Sequence, residues 1–287
     1  MFQSTQEDFK EFYDITQKFW KTIPDEAYTR RTGTREKDWT LLETLAHLLS
    51  LAQLLNRAVD AALRDEALYL KGVSRREDLL EWNTKELARL SQAPSNALIM
   101  RFLKELEQAA HYLPNLSPED SEKMVFVPFY NRPARAIDFI DWQISHAGVI
   151  HASQVTRPLE QAPLWEQYSK GLKQRTLERF IRHFSMAYWS EYGSPDTQVI
   201  NLHIGSETGG DWHLVAAPDG GSKGDGLLDD ADFDVFFDSP ETFFAVFTFH
   251  ESFKNTMLAG KVRFASDFRD TMRVLRLFTP SPPKSEA

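Results

Sequence analysis

The sequence predicts a two-domain fold of class α + (α+β): an antiparallel four-helix bundle over residues 1–160, then an antiparallel sheet packed with helices over residues 161–279. Three observations lead to this prediction. A chain of 287 residues exceeds the size at which a single core keeps growing. Apolar residues recur at the helical period as far as Thr156, and the period changes to two after Gly193. The chain contains no cysteine, so each domain has to be stabilised by its own core rather than by disulfides. The same absence excludes thiolate metal ligands and a cysteine nucleophile.

The first helices have clear boundaries in the sequence. An amphipathic helix is predicted over residues 6–23, because Pro24 interrupts the apolar spacing there. The second helix is predicted to begin at Thr40, since Thr40 and Glu43 have the spacing of a capping box, and to continue to about Leu63.

The rest of the bundle is predicted from the same period. Residues 76–90 and 95–112 are both amphipathic. An extended segment follows at residues 124–130, and residues 131–133 are predicted to open a last helix that runs towards Thr156. Long helices joined by such loops favour an antiparallel bundle.

Three histidines lie on two of these helices and form the candidate metal site. His47 is in the middle of the second helix, and His146 and His151 are on the last one. Without cysteine, any metal has to be held by histidine, aspartate or glutamate. The alternative is that each histidine has only a structural role.

Two segments around these histidines carry a resemblance to a known family. Residues 38–40 (Asp-Trp-Thr) and 45–48 (Leu-Ala-His-Leu) resemble the start of the second helix in the DinB-like bundles, which include the mycothiol-dependent maleylpyruvate isomerases. Residues 150–155 (Ile-His-Ala-Ser-Gln-Val) resemble the histidine motif of the last helix. The resemblance implies that His47 and His151 bind one divalent metal (zinc, nickel or iron), with a low-molecular-weight thiol as a further cofactor.

The third ligand is left open by the sequence. The family pattern calls for a histidine or glutamate four residues before His151, where this chain has Ala147. His146 is one residue further away, about 140° from His151 around an ideal helix. Either Glu43, one turn before His47, replaces it, or a π-bulge brings His146 round. A site that keeps only a structural role is the other alternative.

The second half begins with a helix and continues with strands. The helix is predicted over residues 164–189. Strands of period two are predicted at residues 199–204, 212–217 and 231–237. Glycine-rich turns at residues 205–210 and 219–226 separate them, so the sheet is predicted to be an antiparallel meander.

The last predicted elements begin with a helix whose start is marked in the sequence. Ser239 and Pro240 have the residue types of an N-cap and a first helical position, and a phenylalanine-rich helix is predicted after them. A final strand is predicted at residues 261–265 and a closing helix at 268–278. The tail, residues 280–287, is expected to be disordered.

The order of these elements resembles the sterol carrier protein type-two domain over about residues 165–279. The most specific match comprises residues 257–261, residues 264–267 and Met272. The resemblance implies a hydrophobic tunnel, and the residues expected to line it are Phe236, Phe243, Phe244, Phe247, Met257 and Met272. The alternative is that the same side chains fill a closed core.

Two hypotheses of function follow from these resemblances. The first is a metal-dependent thiol transferase or isomerase that acts on a small electrophilic substrate. The alternative is a non-enzymatic protein that binds a lipid or another apolar ligand in its C-terminal domain. A homodimer is compatible with either hypothesis.

Composition and charge limit the classes of partner and the location expected for the protein. A net charge of −9, spread over both halves, argues against nucleic acid as a partner. The chain has no apolar segment long enough for a membrane span or a signal peptide, so a cytoplasmic location is expected.

Overall fold

The protein folds into two compact units, Met1–Leu172 and Lys173–Ala287. The structure is a computed structural model, and it describes residues 2–33, 38–127, 130 and 132–278. The predicted tail at 280–287 lies outside the described residues. Among the described helices, none is both long enough and apolar enough to cross a membrane.

The first unit is built mainly from helices. They are α1 (Phe2–Thr22), α2 (Leu41–Leu63), α3 (Asp78–Leu90), α4 (Ser95–Tyr112), α5 (Pro118–Ser121), α6 (Ala136–Ser145) and α7 (Ala152–Thr156). Helices α2, α4 and α6 contact one another, and α1 contacts α4 and α6. Their apolar faces meet in a core that contains the fully buried side chains of Phe9, Leu45, Leu106 and Ile140. Burial of such side chains contributes roughly 1.5–3 kcal/mol each to stability.

The start of α2 confirms the predicted capping box. The backbone N–H of Glu43 donates to the Thr40 hydroxyl (3.2 Å), and the Glu43 carboxylate accepts from the Thr40 backbone N–H (2.7 Å). Two N–H groups that the helix cannot satisfy internally therefore have partners.

The last helix of the bundle begins at Ala136, so the prediction that it opens at residues 131–133 is wrong. The strands β1 (Met124–Val127) and β2 (Arg132–Arg135) instead form an antiparallel pair. The Asp138 carboxylate accepts from the backbone N–H of Arg135 (3.2 Å) and pairs with its guanidinium (2.9 Å), which fixes the start of α6. Pro133 lies in a two-stranded ribbon, where its missing N–H is tolerated.

A π-helical turn, His146–Ile150, separates α6 from α7. The backbone N–H of His151 donates to the carbonyl of His146, five residues earlier, at 3.0 Å. The five-residue spacing of His146 and His151 allowed for such a turn, whereas the apolar period of residues 131–156 does not locate it.

The segment predicted as one helix over residues 164–189 is divided. A 3₁₀ turn, Leu164–Gln167, comes first, and α8 (Lys170–Met186) follows. Ser169 bonds through its backbone N–H (2.6 Å) and its hydroxyl (2.8 Å) to the Glu11 carboxylate, and its hydroxyl also accepts from the Leu172 backbone N–H (3.2 Å). These bonds tie residues 163–172 to the first unit.

The second unit combines a five-stranded sheet with helices. After α8 come β3 (Gln198–Ile204), β4 (Gly210–Ala217), β5 (Gly220–Asp225), β6 (Phe233–Phe237), α9 (Pro240–Phe247), α10 (Phe253–Leu258), β7 (Val262–Phe264) and α11 (Phe268–Leu275). The predicted N-cap is confirmed, since the Ser239 hydroxyl accepts from the Thr242 backbone N–H at 3.2 Å and Pro240 is the first helical residue.

The sheet is mixed, so the prediction of an antiparallel meander is wrong. Its strand order is β5-β4-β3-β6-β7, and β3 pairs with β6 in parallel. The segment predicted as a glycine-rich turn at 219–226 contains β5. The chain then returns to the free edge of β3, where the Asn201 side chain bonds to both the carbonyl (2.9 Å) and the N–H (3.0 Å) of Leu228. Alternation along a strand reveals which face is buried but not the direction of its neighbour.

Candidate metal centre

Three histidine side chains converge inside the first unit. His47 lies on α2, His146 opens the π-helical turn, and His151 directly follows that turn. The Nε2 atom of His146 is 3.1 Å from the Nε2 atoms of both His47 and His151. The metal-binding nitrogens of the three residues all lie within 4.8 Å of one another.

The π-helical turn brings His146 next to His151. Residues five apart diverge on an α-helix, whereas the i to i+5 bond of a π turn closes a wider loop and places them side by side. The centroids of the two imidazole rings are 4.5 Å apart. Of the two replacements for the missing ligand at Ala147, the described structure places His146 in the cluster.

Glu43 has another partner. Its carboxylate accepts hydrogen bonds from the backbone N–H (2.7 Å) and the hydroxyl (3.0 Å) of Thr40. The group of described residues able to hold a metal comprises the three histidines and does not include Glu43.

The outward nitrogens of two histidines bond to side-chain amides. His47 Nδ1 is 2.7 Å from Asn83 Oδ1, and His151 Nδ1 is 2.7 Å from Gln154 Oε1. Because an amide oxygen only accepts, each Nδ1 carries the hydrogen. The Nε2 atoms of His47 and His151 are then unprotonated, and their lone pairs point towards His146.

The enclosed position keeps all three imidazoles neutral at physiological pH. Desolvation lowers the pKa of His47 to about 4, against a smaller opposing effect of the Asn83 hydrogen bond. Desolvation and the neighbouring His47 lower the pKa of His151 to about 3. Desolvation and both other histidines hold the pKa of His146 well below its usual range. A neutral imidazole is the form that binds a metal.

Two tryptophans border the cluster. The Trp39 ring is 4.9 Å from His47 and lies nearly parallel to His151, with centroids 6.4 Å apart. Trp142, on α6, is 6.0 Å from His146. Each of the three imidazoles therefore has a tryptophan ring beside it.

The geometry fits a divalent metal with three imidazole ligands. Zinc–nitrogen bonds of about 2.0–2.1 Å in a tetrahedron separate the nitrogens by about 3.3 Å, close to the 3.1 Å observed for the two separations that involve His146 Nε2. Without an ion, a hydrogen on His146 Nε2 can bond to the lone pair of only one neighbouring Nε2 atom, so the other lone pair lacks a donor. A cation between the three nitrogens would accept all three lone pairs, and three protein ligands would leave a fourth position open.

The residues predicted to line an apolar tunnel lie in different parts of the second unit. Phe243 and Phe244 have no exposed surface, and each ring centroid lies 5.9 Å from that of Phe180. Phe247 packs at 4.6 Å from Phe243 and completes this aromatic core together with Phe237. The three phenylalanines of α9 thus pack against other aromatic side chains, and the apolar tunnel remains a prediction.

The remaining residues of that prediction lie elsewhere in the second unit. Phe236 points to the opposite face of the sheet from its neighbour in β6, stacks on His203 at 4.1 Å and has the Arg263 guanidinium 5.1 Å from its ring centroid. Met257 is half-buried on α10, and Met272 is buried on α11.

Sequence reasoning missed the residues around the histidines. Asn83 lies on another helix, and no pattern in the sequence connects it to His47. Gln154 follows His151 by three residues, a helical spacing that identifies it as a neighbour. Trp39 belongs to the segment that carries the family resemblance, but its place against two imidazoles follows only from the fold.

Fold and site together define a class of protein: a helical unit with a three-histidine cluster, joined to an α+β unit. Among solved structures, the fold is similar to that of a mycothiol-dependent maleylpyruvate isomerase, with 12% identity, a TM-score of 0.54 and coverage of 85% of this chain and 88% of that one. A histidine-to-alanine mutant of a mycothiol-dependent maleylpyruvate isomerase matches with 11% identity, a TM-score of 0.57 and coverage of 92% and 93%. No family model matches the chain, and no curated protein matches it. At these identities the likeness is one of fold.

Proposed function

We propose that this protein is a metal-dependent enzyme that activates a low-molecular-weight thiol for addition to a small electrophilic substrate. The observation that carries the proposal is the convergence of one ring nitrogen from each of three histidines within 4.8 Å. His47, His146 and His151 would hold the metal, and zinc, nickel or iron suits such an imidazole set.

The open position determines the chemistry. His47, His146 and His151 would leave one position of the metal open, and the chemistry the metal would supply there is a lowered pKa of a bound thiol or water, so that a deprotonated nucleophile would be present at neutral pH. Addition of a thiolate to a carbon–carbon double bond forms a carbon–sulfur bond, and the resulting carbanion takes up a proton or is stabilised by a neighbouring carbonyl. If addition is final, the reaction is a transfer. If rotation about the new single bond precedes loss of the thiolate, it is an isomerisation.

The surrounding residues of this chain support such chemistry. The rings of Trp39 and Trp142 border the cluster, and a less polar surrounding strengthens electrostatic interactions inside it. The lowered pKa values keep the imidazoles in their ligand form.

The fold likeness guides the choice of thiol and substrate. The similar structures are described as mycothiol-dependent maleylpyruvate isomerases. Mycothiol and maleylpyruvate are therefore the first pair to test with this chain. The second unit has a structural role in this proposal, because Phe243 and Phe244 of α9 have no exposed surface.

Metal content provides the first test. We expect wild-type protein to hold one divalent metal per chain by elemental analysis and the His146→Ala variant to lose it, because two imidazoles remain. His111→Ala is the matched control, since His111 is exposed on α4, and it should keep the metal. Failure of wild-type protein to take up zinc, nickel or iron from excess would overturn the proposal.

Activity is tested separately on the metal-loaded protein. Loss of the substrate double bond or its conversion to the other geometric isomer is followed with mycothiol, with glutathione and without thiol. We expect turnover only with a thiol and none in His146→Ala. Turnover that is equal without any thiol would contradict the thiol-dependent mechanism while leaving the metal site intact.

A further inference from the structure

We infer that Asn83 and Gln154 are positioning residues of the histidine cluster. The first half of the inference is that their amide oxygens fix the tautomers of His47 and His151. The second half is that, because these acceptors are uncharged, a bound ion keeps its full charge for an anionic ligand; only this half rests on the proposed function.

Two hydrogen bonds of equal length carry the first half. His47 Nδ1 and His151 Nδ1 each lie 2.7 Å from an amide oxygen. A neutral imidazole holds one hydrogen, so an acceptor at Nδ1 places that hydrogen there and leaves Nε2 free. In both residues the free Nε2 is the nitrogen that faces His146 at 3.1 Å. The two amides thus select the tautomer that the cluster needs.

The two acceptors also come from different parts of the unit. Asn83 lies on α3 and reaches across to α2, whereas Gln154 lies on α7, three residues after its partner. Ring orientation is therefore fixed from two directions, and the cluster depends on the packing of α3 against α2.

The chemical type of the acceptors carries the second half. Metal-binding histidines often donate to a carboxylate, which adds negative charge and raises ligand basicity. Both acceptors here are neutral amides, and the imidazoles are neutral as well. A divalent ion would therefore keep its charge of two, which favours an anionic fourth ligand such as a thiolate over a neutral one.

Tautomers can be measured without any metal. Long-range ¹H–¹⁵N correlation spectra of the metal-free protein should show His47 and His151 with hydrogen on Nδ1. Asn83→Leu should abolish the single tautomer of His47 and leave His151 unchanged, and Gln154→Leu should do the reverse. Thr84→Val is the control, because it removes an exposed hydroxyl from the same helix as Asn83. Unchanged tautomers in both leucine variants would overturn the inference.

Zinc affinity, measured by competition with a chromophoric chelator, tests the consequence. Each leucine variant should bind zinc about 10–100-fold more weakly than wild-type protein, with the Thr84→Val control unchanged. Asn83→Asp keeps an acceptor, so it should retain zinc affinity, and its zinc-loaded form should bind mycothiol more weakly than zinc-loaded wild-type protein, as measured by calorimetry. Zinc affinity within about twofold of wild type in both leucine variants, or thiol affinity unchanged in Asn83→Asp, would overturn the corresponding half.

The two proposals fail in different ways. If wild-type protein binds no zinc, the metal function is lost, but the tautomer spectra still decide whether the amides position the imidazoles. If wild-type protein binds zinc and both leucine variants have the same tautomers and zinc affinity as wild type, the positioning role is lost but the metal function is not.

Discussion

Gly148 lies inside the π-helical turn that brings His146 and His151 together. A Cβ atom at this position would clash with the Tyr168 hydroxyl and approach the Phe12 ring to 3.0 Å. The same hydroxyl donates to the Gly148 carbonyl at 3.0 Å. Burial raises the pKa of Tyr168 far above its usual value, so the hydroxyl stays protonated and remains a donor.

We expect Gly148→Ala to destabilise the protein by about 1–3 kcal/mol, because a methyl group would overpack the turn and displace the Tyr168 hydroxyl. Zinc affinity should fall as well, since the turn positions His146. Tyr168→Phe is the milder counterpart, and loss of one hydrogen bond should cost about 1 kcal/mol. Chemical denaturation of the three proteins checks the order, and equal stability of Gly148→Ala and wild type would contradict it.

The lowered pKa values of the histidines predict an effect of pH on the metal-free protein. In the unfolded chain these imidazoles take up protons near pH 6.5, whereas in the folded protein His47 does so only at about pH 4 and His151 at about pH 3. The unfolded state therefore binds more protons between these values, and stability present above pH 6.5 is lost as the pH falls towards 4.

The melting temperature of the metal-free protein should accordingly fall between pH 7 and pH 5, and His47→Gln should reduce the slope. His111→Gln serves as the exposed control and should leave the slope unchanged. An identical slope in His47→Gln and wild type would show that His47 is not buried in its neutral form.

At the level of the element, Glu43 at the N-terminus of α2 had two possible roles in the sequence, as part of the helix cap and as a metal ligand. Its carboxylate bonds to the backbone N–H and the hydroxyl of Thr40. The same helix carries His47 to the cluster one turn later. A carboxylate that accepts hydrogen bonds at the helix N-terminus is held there rather than at a metal one turn later, and in the structure the Glu43 carboxylate forms the cap.

Glu43→Gln should therefore retain the metal and lose less than about 1 kcal/mol of stability, because glutamine can still complete a capping box. Thr40→Ala should lose about 1 kcal/mol, since it removes the N-cap oxygen. Metal content and urea denaturation of both variants provide the measurements. Loss of metal in Glu43→Gln alone would identify Glu43 as a ligand.

At the level of the whole molecule, the boundary between the compact units falls at Leu172 rather than near residue 160. Leu164 and Trp165 are buried at 2% exposure each, and Tyr168 bonds to the turn that carries His146. The segment between the two candidate boundaries therefore supports the histidine cluster.

A fragment of residues 1–172 should fold and bind zinc, because all three histidines and Tyr168 belong to it. A fragment of residues 1–160 should be markedly less stable and bind zinc more weakly, since it lacks Leu164, Trp165 and Tyr168. Circular dichroism and zinc titration of both fragments test this expectation. Equal stability of the two fragments would place the boundary near residue 160.

Local signals determined much of the fold. The capping box at Thr40, the N-cap at Ser239 and the helix over 95–112 were predicted from the sequence and are present in the structure. These features depend on residues within one or two turns of each other, so the chain specifies them without reference to the rest of the fold. His47 and His151 were recognised as candidates for the same reason, because a short motif surrounds each of them.

Tertiary structure decided what local signals cannot. The parallel pairing of β6 with β3 depends on the return of the chain to Asn201, and the acceptor for His47 comes from a separate helix. The sequence by itself determined where helices begin and which histidines to consider. Packing decided that His146 completes the cluster, because a π-helical turn held by Tyr168 places its Nε2 atom 3.1 Å from both partners.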